Sequence, residues 1–277
     1  MKKTFLALTI VCASLLGQAQ TINSASYNIR QKNTKDIGNL WDDRKQVVTD
    51  QIKFHEFDIF GVQEAFNSQM NDMQANLPEY SYIGVGRDNG AQEGEYSAIF
   101  YKKDRFTPIE SGTFWLNEKD ITKPIKGWDA AIVRICTWGI FKDNANGKEF
   151  IIMNTHFDHI GKEARKESAK LMMSKAKELA TDLPLIITGD FNVDENDEAY
   201  FTLANSGFVK DSYELAELKF APNSTFNNWG NKILPSGRID HIFVSNPFKV
   251  RKYGILTDTY MGKFPSDHFP IVAQLVW

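Results

Sequence analysis

The chain has 277 residues, 42% of them hydrophobic and 24% charged, with 32 basic against 35 acidic side chains and a formal net charge of −3. This is an ordinary globular composition, and the length suits one large α/β or two-sheet domain without requiring a second. The acidic balance excludes a general polyanion binder, which would show a basic surplus, but leaves room for a local basic rim.

The chain opens on Lys2 and Lys3, an apolar run from Phe5 to Leu16, and then Gly17-Gln18-Ala19. A charged start, a run too short to span a bilayer and small residues before the cut predict a secretory signal peptide over residues 1–19 and a folded domain over 20–277. The protein is therefore expected to be exported, to the periplasm or the medium. A lipid anchor on Cys12 is disfavoured because that cysteine lies inside the apolar run behind Val11. Cleavage removes Lys2, Lys3 and Cys12, leaving 30 basic against 35 acidic residues and a formal charge of −5. Cys136 then stands alone, so no intrachain disulfide forms even in an oxidising compartment.

Beyond the leader no repeat, low-complexity tract or linker marks a domain boundary. Strands are expected over Ile22 to Asn28 and Asp58 to Gln63, separated by a helix whose Trp41, Val48, Ile52 and His55 share one face. Asn67 to Leu77 reads as a second helix. Tyr80 to Gly86, Ser97 to Lys102, Phe106 to Trp115 and Ala130 to Phe141 read as strands, and the turn Asn144-Ala145-Asn146-Gly147 leads by a hairpin into Lys148 to Thr155. The longest helical pattern, Lys162 to Thr181, carries Ala164, Leu171, Met172, Ala176, Leu179 and Ala180 as one apolar stripe and stops before Pro184. A strand from Leu185 to Thr188, a short helix around Glu195 to Asn205, and strands at Arg238 to Ser245, Lys249 to Thr257 and Ile271 to Trp277 complete the set. About twelve strands against about four helices suggest two packed sheets with helices outside them.

The chemistry-bearing residues cluster at strand ends, where a core beneath can hold a site rigidly. Asn28 ends the first strand and Glu64 the second; His156 and Asp158 follow the Phe150 strand, Asp190 and Asn192 follow the Leu185 strand, Asp240 and His241 interrupt the Arg238 strand, and Ser266-Asp267-His268 precede the last. Asp190 and Asn192 are two apart, so in extended chain they share a face and suit the positioning of water against a substrate. Alternatively, Asp190 opens an Asx-turn and Asn192 caps a helix. Glu64 is either a solvated turn carboxylate or a hard-cation ligand, since Mg2+ takes oxygen donors and needs few protein carboxylates; Asn28 would add a carbonyl or orient that shell. His268 is either a capped surface group or a general base or transition-state donor, its tautomer fixed by a second carboxylate such as Asp240. His156 is either a donor to a phosphate oxygen or a histidine bonded to backbone.

Two other metal patterns fail on spacing. Asp190-x-Asn192-x-Asp194-x-Asn196 begins like a calcium loop, but Glu195 stands where glycine is needed and Phe201 where glutamate is. His156-x-x-His159 leaves a strand and lacks the glutamate of the helical zinc motif, so a zinc hydrolase stays only a minor alternative. The chain contains neither a P-loop nor a Gly-x-Ser-x-Gly elbow.

Together, Tyr27-Asn28-Ile29-Arg30, Gly61-Val62-Gln63-Glu64, Asn154-Thr155-His156-Phe157-Asp158, Thr188-Gly189-Asp190-Phe191-Asn192, Arg238-Ile239-Asp240-His241-Ile242 and Ser266-Asp267-His268-Phe269-Pro270, in this order, resemble the endonuclease/exonuclease/phosphatase superfamily of DNase I-like phosphoesterases. The resemblance covers essentially the whole chain after the leader. It implies a four-layer α/β/β/α sandwich, two packed mixed sheets flanked by helices, with the site at one edge. It also implies Mg2+- or Mn2+-dependent hydrolysis of a P–O bond. By the same likeness Glu64 is the principal metal ligand with Asn28 and Asp267 beside it, Asp190 and Asn192 position water and phosphate, His156 contacts phosphate, and His268 is the catalytic histidine oriented by Asp240. The likeness leaves open which group deprotonates the nucleophile.

The expected substrate is a phosphoester ranging from nucleotide or nucleic acid to a small molecule. Ser97 to Lys102 and His156 to Arg165 look like the deadenylase-type branch, whereas a charge of −5 argues against a broad nucleic-acid surface. A sphingomyelin-type phosphodiesterase and a binding protein that has lost catalysis are the other classes. Arg134 is a candidate for forking phosphate oxygens, Trp41 and Trp128 for stacking a base or sugar, and Asp158 for further substrate contact. Glu93 and Glu95 are expected to face the cleft and to disfavour long polyanions. A monomer is expected, without stable membrane insertion and with no partner protein indicated.

Overall fold

The computed structural model describes residues 21–180 and 182–277; the segment read as a signal peptide lies outside them. In chain order the elements are β1 (Thr21–Asn28), α1 (Trp41–Phe54), β2 (Ile59–Ala65), α2 (Asn67–Asn76), β3 (Tyr80–Ile83), β4 (Tyr96–Lys102), β5 (Phe106–Trp115), β6 (Ile135–Asp143) and β7 (Glu149–His156). They continue with α3 (Lys162–Leu179), β8 (Leu185–Asp190), α4 (Glu198–Ala204), β9 (Lys210–Asp211), α5 (Ser212–Leu215), β10 (Leu218–Phe220), β11 (Asp240–Val244), β12 (Lys249–Ile255) and β13 (Ile271–Val276). No described helix is long and apolar enough to cross a membrane.

Two mixed sheets result, one in the order β10-β12-β13-β1-β2-β4-β3 and one in the order β5-β6-β7-β8-β11-β9. Because strand side chains alternate between faces, each inner strand is buried twice and sorts its residues into layers. On β8, Leu185 and Ile187 pack under α3 and α4, while Ile186 joins Phe150, Ile152 and Ile242 between the sheets. On β1 and β2, Tyr27, Phe60 and Val62 meet Trp41, Val48 and Ile52 of α1, whereas Ile22 and Ile59 face the other sheet. The helices form because an apolar stripe has a sheet face to cover, and each fully buried Val or Ile there contributes about 1.5–3 kcal/mol. The expected four-layer sandwich is the observed fold.

Polar residues occupy the inter-sheet layer as it nears the site. Asn154 of β7 donates to the carbonyls of Val62 (3.0 Å) and Ala98 (2.9 Å), and its Oδ1 accepts from Gln63 (2.7 Å) and Thr188 (3.1 Å). This network crosses between the sheets and fixes the two strand ends that matter most against each other. It also requires Gly61, since a Cβ there would collide with Asn154 and Thr188.

The structure departs from the expected elements at three places. Residues 130–134 are not strand: β6 starts at Ile135, because Ile132 N and the Arg134 guanidinium are drawn out of the ladder to Asp158. Arg238 and Ile239 likewise precede β11, with Ile239 N bonded to Thr225 Oγ1. The short β9, α5 and β10 lie in a stretch where no element was expected, and at two to four residues each they carry too few side chains to show a period.

Candidate active site

The inter-sheet layer opens at one edge, and strand parity decides what stands in the opening. Continuing Ile186 and Thr188 by two brings Asp190 to the inner face; continuing Ile152 and Asn154 brings His156; Ile22, Ser24 and Ser26 bring Asn28. Asp240 opposes Asp190 directly across the β8–β11 ladder, and His156 opposes it across β7–β8. Glu64 breaks the rule. Alternation would send it toward the helices with Phe60 and Val62, but a bulge between Val62 and Ala65 and a left-handed φ of 65° turn its carboxylate into the cleft. Arg30, Asn192, Asn228 and Trp229 also line the cleft with positive φ, so five of the nine non-glycine residues with that strained backbone among the described residues meet here.

The cleft has a volume of about 530 Å3. At its base, the Asn28 amide donates to Glu64 Oε1 at 3.1 Å and Asp190 Oδ2 at 2.9 Å, while its Oδ1 accepts from Arg30 N at 3.0 Å. Asn28 thus orients the carboxylates rather than presenting an oxygen as a ligand. Asp190 Oδ1 also accepts from Asn192 N at 2.9 Å, which is an Asx-turn, and Asn192 Nδ2 holds the Phe157 carbonyl at 3.0 Å. Asn192 does not cap the following helix; Asp197 does. Burial, then the neighbouring Asp240, push Asp190 up to about 7.

His268 Nδ1 meets Asp240 Oδ2 at 2.9 Å, and its Nε2 stands 3.8 Å from Asp190 Oδ2. Burial works against its charge, but Asp240 and Asp190 overcome that and raise it to about 10. Opposite, His156 Nε2 lies 3.5 Å from Asp190 Oδ2 and its Nδ1 is 3.8 Å from Glu95. Burial and the Arg134 and Arg87 charges hold His156 well below the usual imidazole range. Arg134 leans on Asp158 (3.4 Å) and His159 (3.0 Å), leaving its buried Nη1 without a partner among the described residues.

The donor set fits a hard divalent cation. Glu64, Asp190 and Asp267 line the cleft, with Asp240 buried against His268, and burial together with the Glu64 charge pushes Asp267 above the ordinary carboxylate range against the pull of His268. Arg30, 3.7 Å from both Glu64 and Asp267, compensates only part of this charge and is itself bonded to Asp36. Ligand atoms of Glu64, His156 and Asp190 lie within 4.8 Å of one another, as do those of Asp190, Asp240 and His268. Such an oxygen-rich set suits Mg2+ or Mn2+ better than a thiophilic ion.

Three expectations are corrected. Trp41 is 1% exposed, lies in the core beneath α1 and donates from Nε1 to Asp72, so it cannot meet a substrate. Trp128 does not line the cleft; its N bonds Glu118 and the loop it sits on caps α3 through Asp129. Asp158 is buried behind the wall, where it accepts from Ile132, Ile160 and Gly161 N and holds Arg134 instead of a ligand. Glu95 does face the cleft, forked by Arg87, whereas Glu93 is exposed outside it. The cleft residues that sequence reasoning did not single out are Gln31, Asp36, Ile132 and Phe226, outside any helix or strand, and Asn228 and Trp229, in a single 3-10 turn over Asn228–Gly230; Arg30 and Ile239 sat inside quoted motifs.

The sequence model of the endonuclease/exonuclease/phosphatase family matches residues 25–268. Among solved structures, the chain is similar to a mannosyl-6-phosphatase of Bacteroides thetaiotaomicron, 48% identical with a TM-score of 0.90 over 92% of this chain and 100% of that one. An endonuclease/exonuclease/phosphatase family protein of the same bacterium is 47% identical, with a TM-score of 0.90 over 94% of this chain and 98% of that one. Human nocturnin is 24% identical over 84% of this chain, which spans only 58% of the length of that protein.

Proposed function

Because this chain belongs to the endonuclease/exonuclease/phosphatase family, we propose that it is an exported, Mg2+- or Mn2+-dependent hydrolase of small phosphoesters, with phosphorylated sugars as its substrate class. The observation that carries this reading is the convergence of Glu64, His156, Asp190, Asp267 and His268, from four separate segments, on one cleft lined by both acidic and basic groups. A cleft that pairs Arg30 and Arg134 with Glu95 and Asp36 suits one compact anion better than a long polyanion. The substrate class draws support from the mannosyl-6-phosphatase to which the chain is similar.

Each group then has a task. Glu64 and Asp267 would hold the ion, which when bound supplies Lewis-acid polarisation of the phosphoryl group. Asp190, with its affinity for protons near neutrality, accepts the proton of the attacking water, and the Asn192 N–H keeps its carboxylate turned. His268, cationic and braced by Asp240, donates from Nε2 to an oxygen that gains charge as the P–O bond to the leaving alcohol breaks. The free Nη1 of Arg134 and the neutral His156 donate to the remaining phosphoryl oxygens. The proposal is tested by phosphate release from mannose 6-phosphate, with bis-p-nitrophenyl phosphate as a diester control. Release should vanish with EDTA and return with Mg2+ or Mn2+; activity indifferent to chelation, or confined to the diester, would refute it.

A further inference from the structure

We infer that Trp229 is the stacking platform for the sugar ring of the substrate. The inference rests on the small-phosphoester reading above and deepens it. Trp229 is half-buried and lines the cleft beside exposed Asn228. One face of its indole is covered by Arg44, whose guanidinium carbon lies 5.2 Å from the Trp229 ring centroid and 5.0 Å from that of Trp41. Arg44 is fully buried and cannot move aside, because its N–H groups donate to the carbonyls of Ile29, Arg30, Asn39 and Pro265. Trp41, Arg44 and Trp229 thus form a braced stack whose outer member, Trp229, lines the cleft.

The turn that carries the indole is built against the site. Asn228 and Trp229 adopt φ of 48° and 57°, a backbone that side-chain-bearing residues rarely take and that persists only when the surroundings impose it. The imposition is visible: Asn227 N and Asn228 N both donate to the Asp267 carbonyl, at 2.8 and 3.1 Å, and Asn227 Nδ2 donates to that of Ser266 at 3.1 Å. The aromatic surface is therefore registered to Asp267 and His268. The rest of the cleft lining is mostly polar, with Gln31, Glu95, Arg134 and His159 among it and Ile132, Phe226 and Ile239 as its apolar members. An indole set in a lining made mostly of hydrogen-bonding groups matches a sugar ring, which has one C–H-rich face and a rim of hydroxyls. A flat nucleobase would leave most of those polar groups unpaired.

The test compares kcat and KM for mannose 6-phosphate, glycerol phosphate and adenosine monophosphate in the wild-type protein, Trp229→Phe and Trp229→Ala, with Mg2+ present. In Trp229→Ala the ratio of kcat/KM for the hexose phosphate to that for glycerol phosphate should fall about tenfold, chiefly through KM, which is about 1.4 kcal/mol. Trp229→Phe should recover most of the ratio. An equal loss on both esters, or a lowered melting temperature with the ratio unchanged, would make Trp229 only a cover for Arg44 and overturn the inference. A wild-type preference for the nucleotide that depends on Trp229 would overturn the sugar assignment. Wild-type protein that releases phosphate from none of the three would refute the small-phosphoester reading itself.

Discussion

The two walls of the cleft each present a buried histidine, and they push its proton affinity in opposite directions. On the wall formed by β11 and the loop before β13, burial opposes the His268 cation, yet Asp240 and Asp190 push it up to about 10. On the β7 wall, burial and the Arg134 and Arg87 guanidinium groups hold His156 well below the usual imidazole range. Depth is the same, 6% and 7% exposed, so neighbours rather than burial decide the outcome. One cleft thereby holds a permanent cation to meet a phosphoryl anion and a neutral imidazole beside two arginines, without three like charges crowding one ligand.

The carboxylate shared by both walls gives the largest expected effect. Asp190 contacts Asn28 and lies within 4 Å of both histidines, so Asp190→Ala should lower kcat by about 10³–10⁴ while leaving the circular dichroism spectrum intact. Retention of full turnover would remove it from the reaction. Asp240→Asn should cost about 10²-fold in kcat, because the amide no longer supports the imidazolium of His268. The sign with pH follows: the His268 proton is present below its raised pKa and lost above it, so the alkaline limb of the pH–rate profile should move to lower pH in this variant. A limb that stays in place would mean His268 does not govern it. On the other wall, Arg134→Met should raise KM about tenfold with a smaller change in kcat, and should raise the His156 pKa by removing a positive neighbour, as read by NMR titration.

The walls differ as much in how far they could be read from sequence. Asn28, His156, Asp190 and Asp240 end or begin strands whose alternation starts from a core-facing residue, so their faces follow from counting by two. Glu64 was legible only through its motif, since the same counting points it the wrong way until a bulge reverses it. Trp41 was misassigned although its spacing with Val48 and Ile52 already marked a core-facing stripe; an aromatic on that stripe is packing first. Trp229 and Asn228 lie in an aperiodic loop whose conformation is imposed by carbonyls around Asp267, a long-range constraint that leaves no local pattern. Asp158 is the subtler case, because a carboxylate that binds substrate and one that satisfies a loop use the same residue type one step past the same strand.

That ambiguity at Asp158 can be resolved on stability, with the smallest expected effect. Its carboxylate accepts from Ile160 N (3.0 Å), Gly161 N (2.8 Å) and Ile132 N (3.3 Å), and lies 3.4 Å from Arg134 Nε, so it ties the β7 wall together. Burial raises its pKa, but those N–H donors and the guanidinium outweigh it and hold the group at about 2. Asp158→Asn keeps the shape and removes the charge, and should cost about 1–3 kcal/mol of unfolding free energy at pH 7. Because the folded carboxyl is harder to protonate than the unfolded one, the charge stabilises the fold fully above about pH 5, and that contribution fades as the pH drops from about 4 toward about 2. The melting temperatures of the wild-type and Asp158→Asn proteins should therefore stand apart by a constant interval above pH 5 and converge below pH 4. If they coincide at neutral pH while KM rises, Asp158 touches substrate after all, and the His156 wall is braced by something other than this carboxylate.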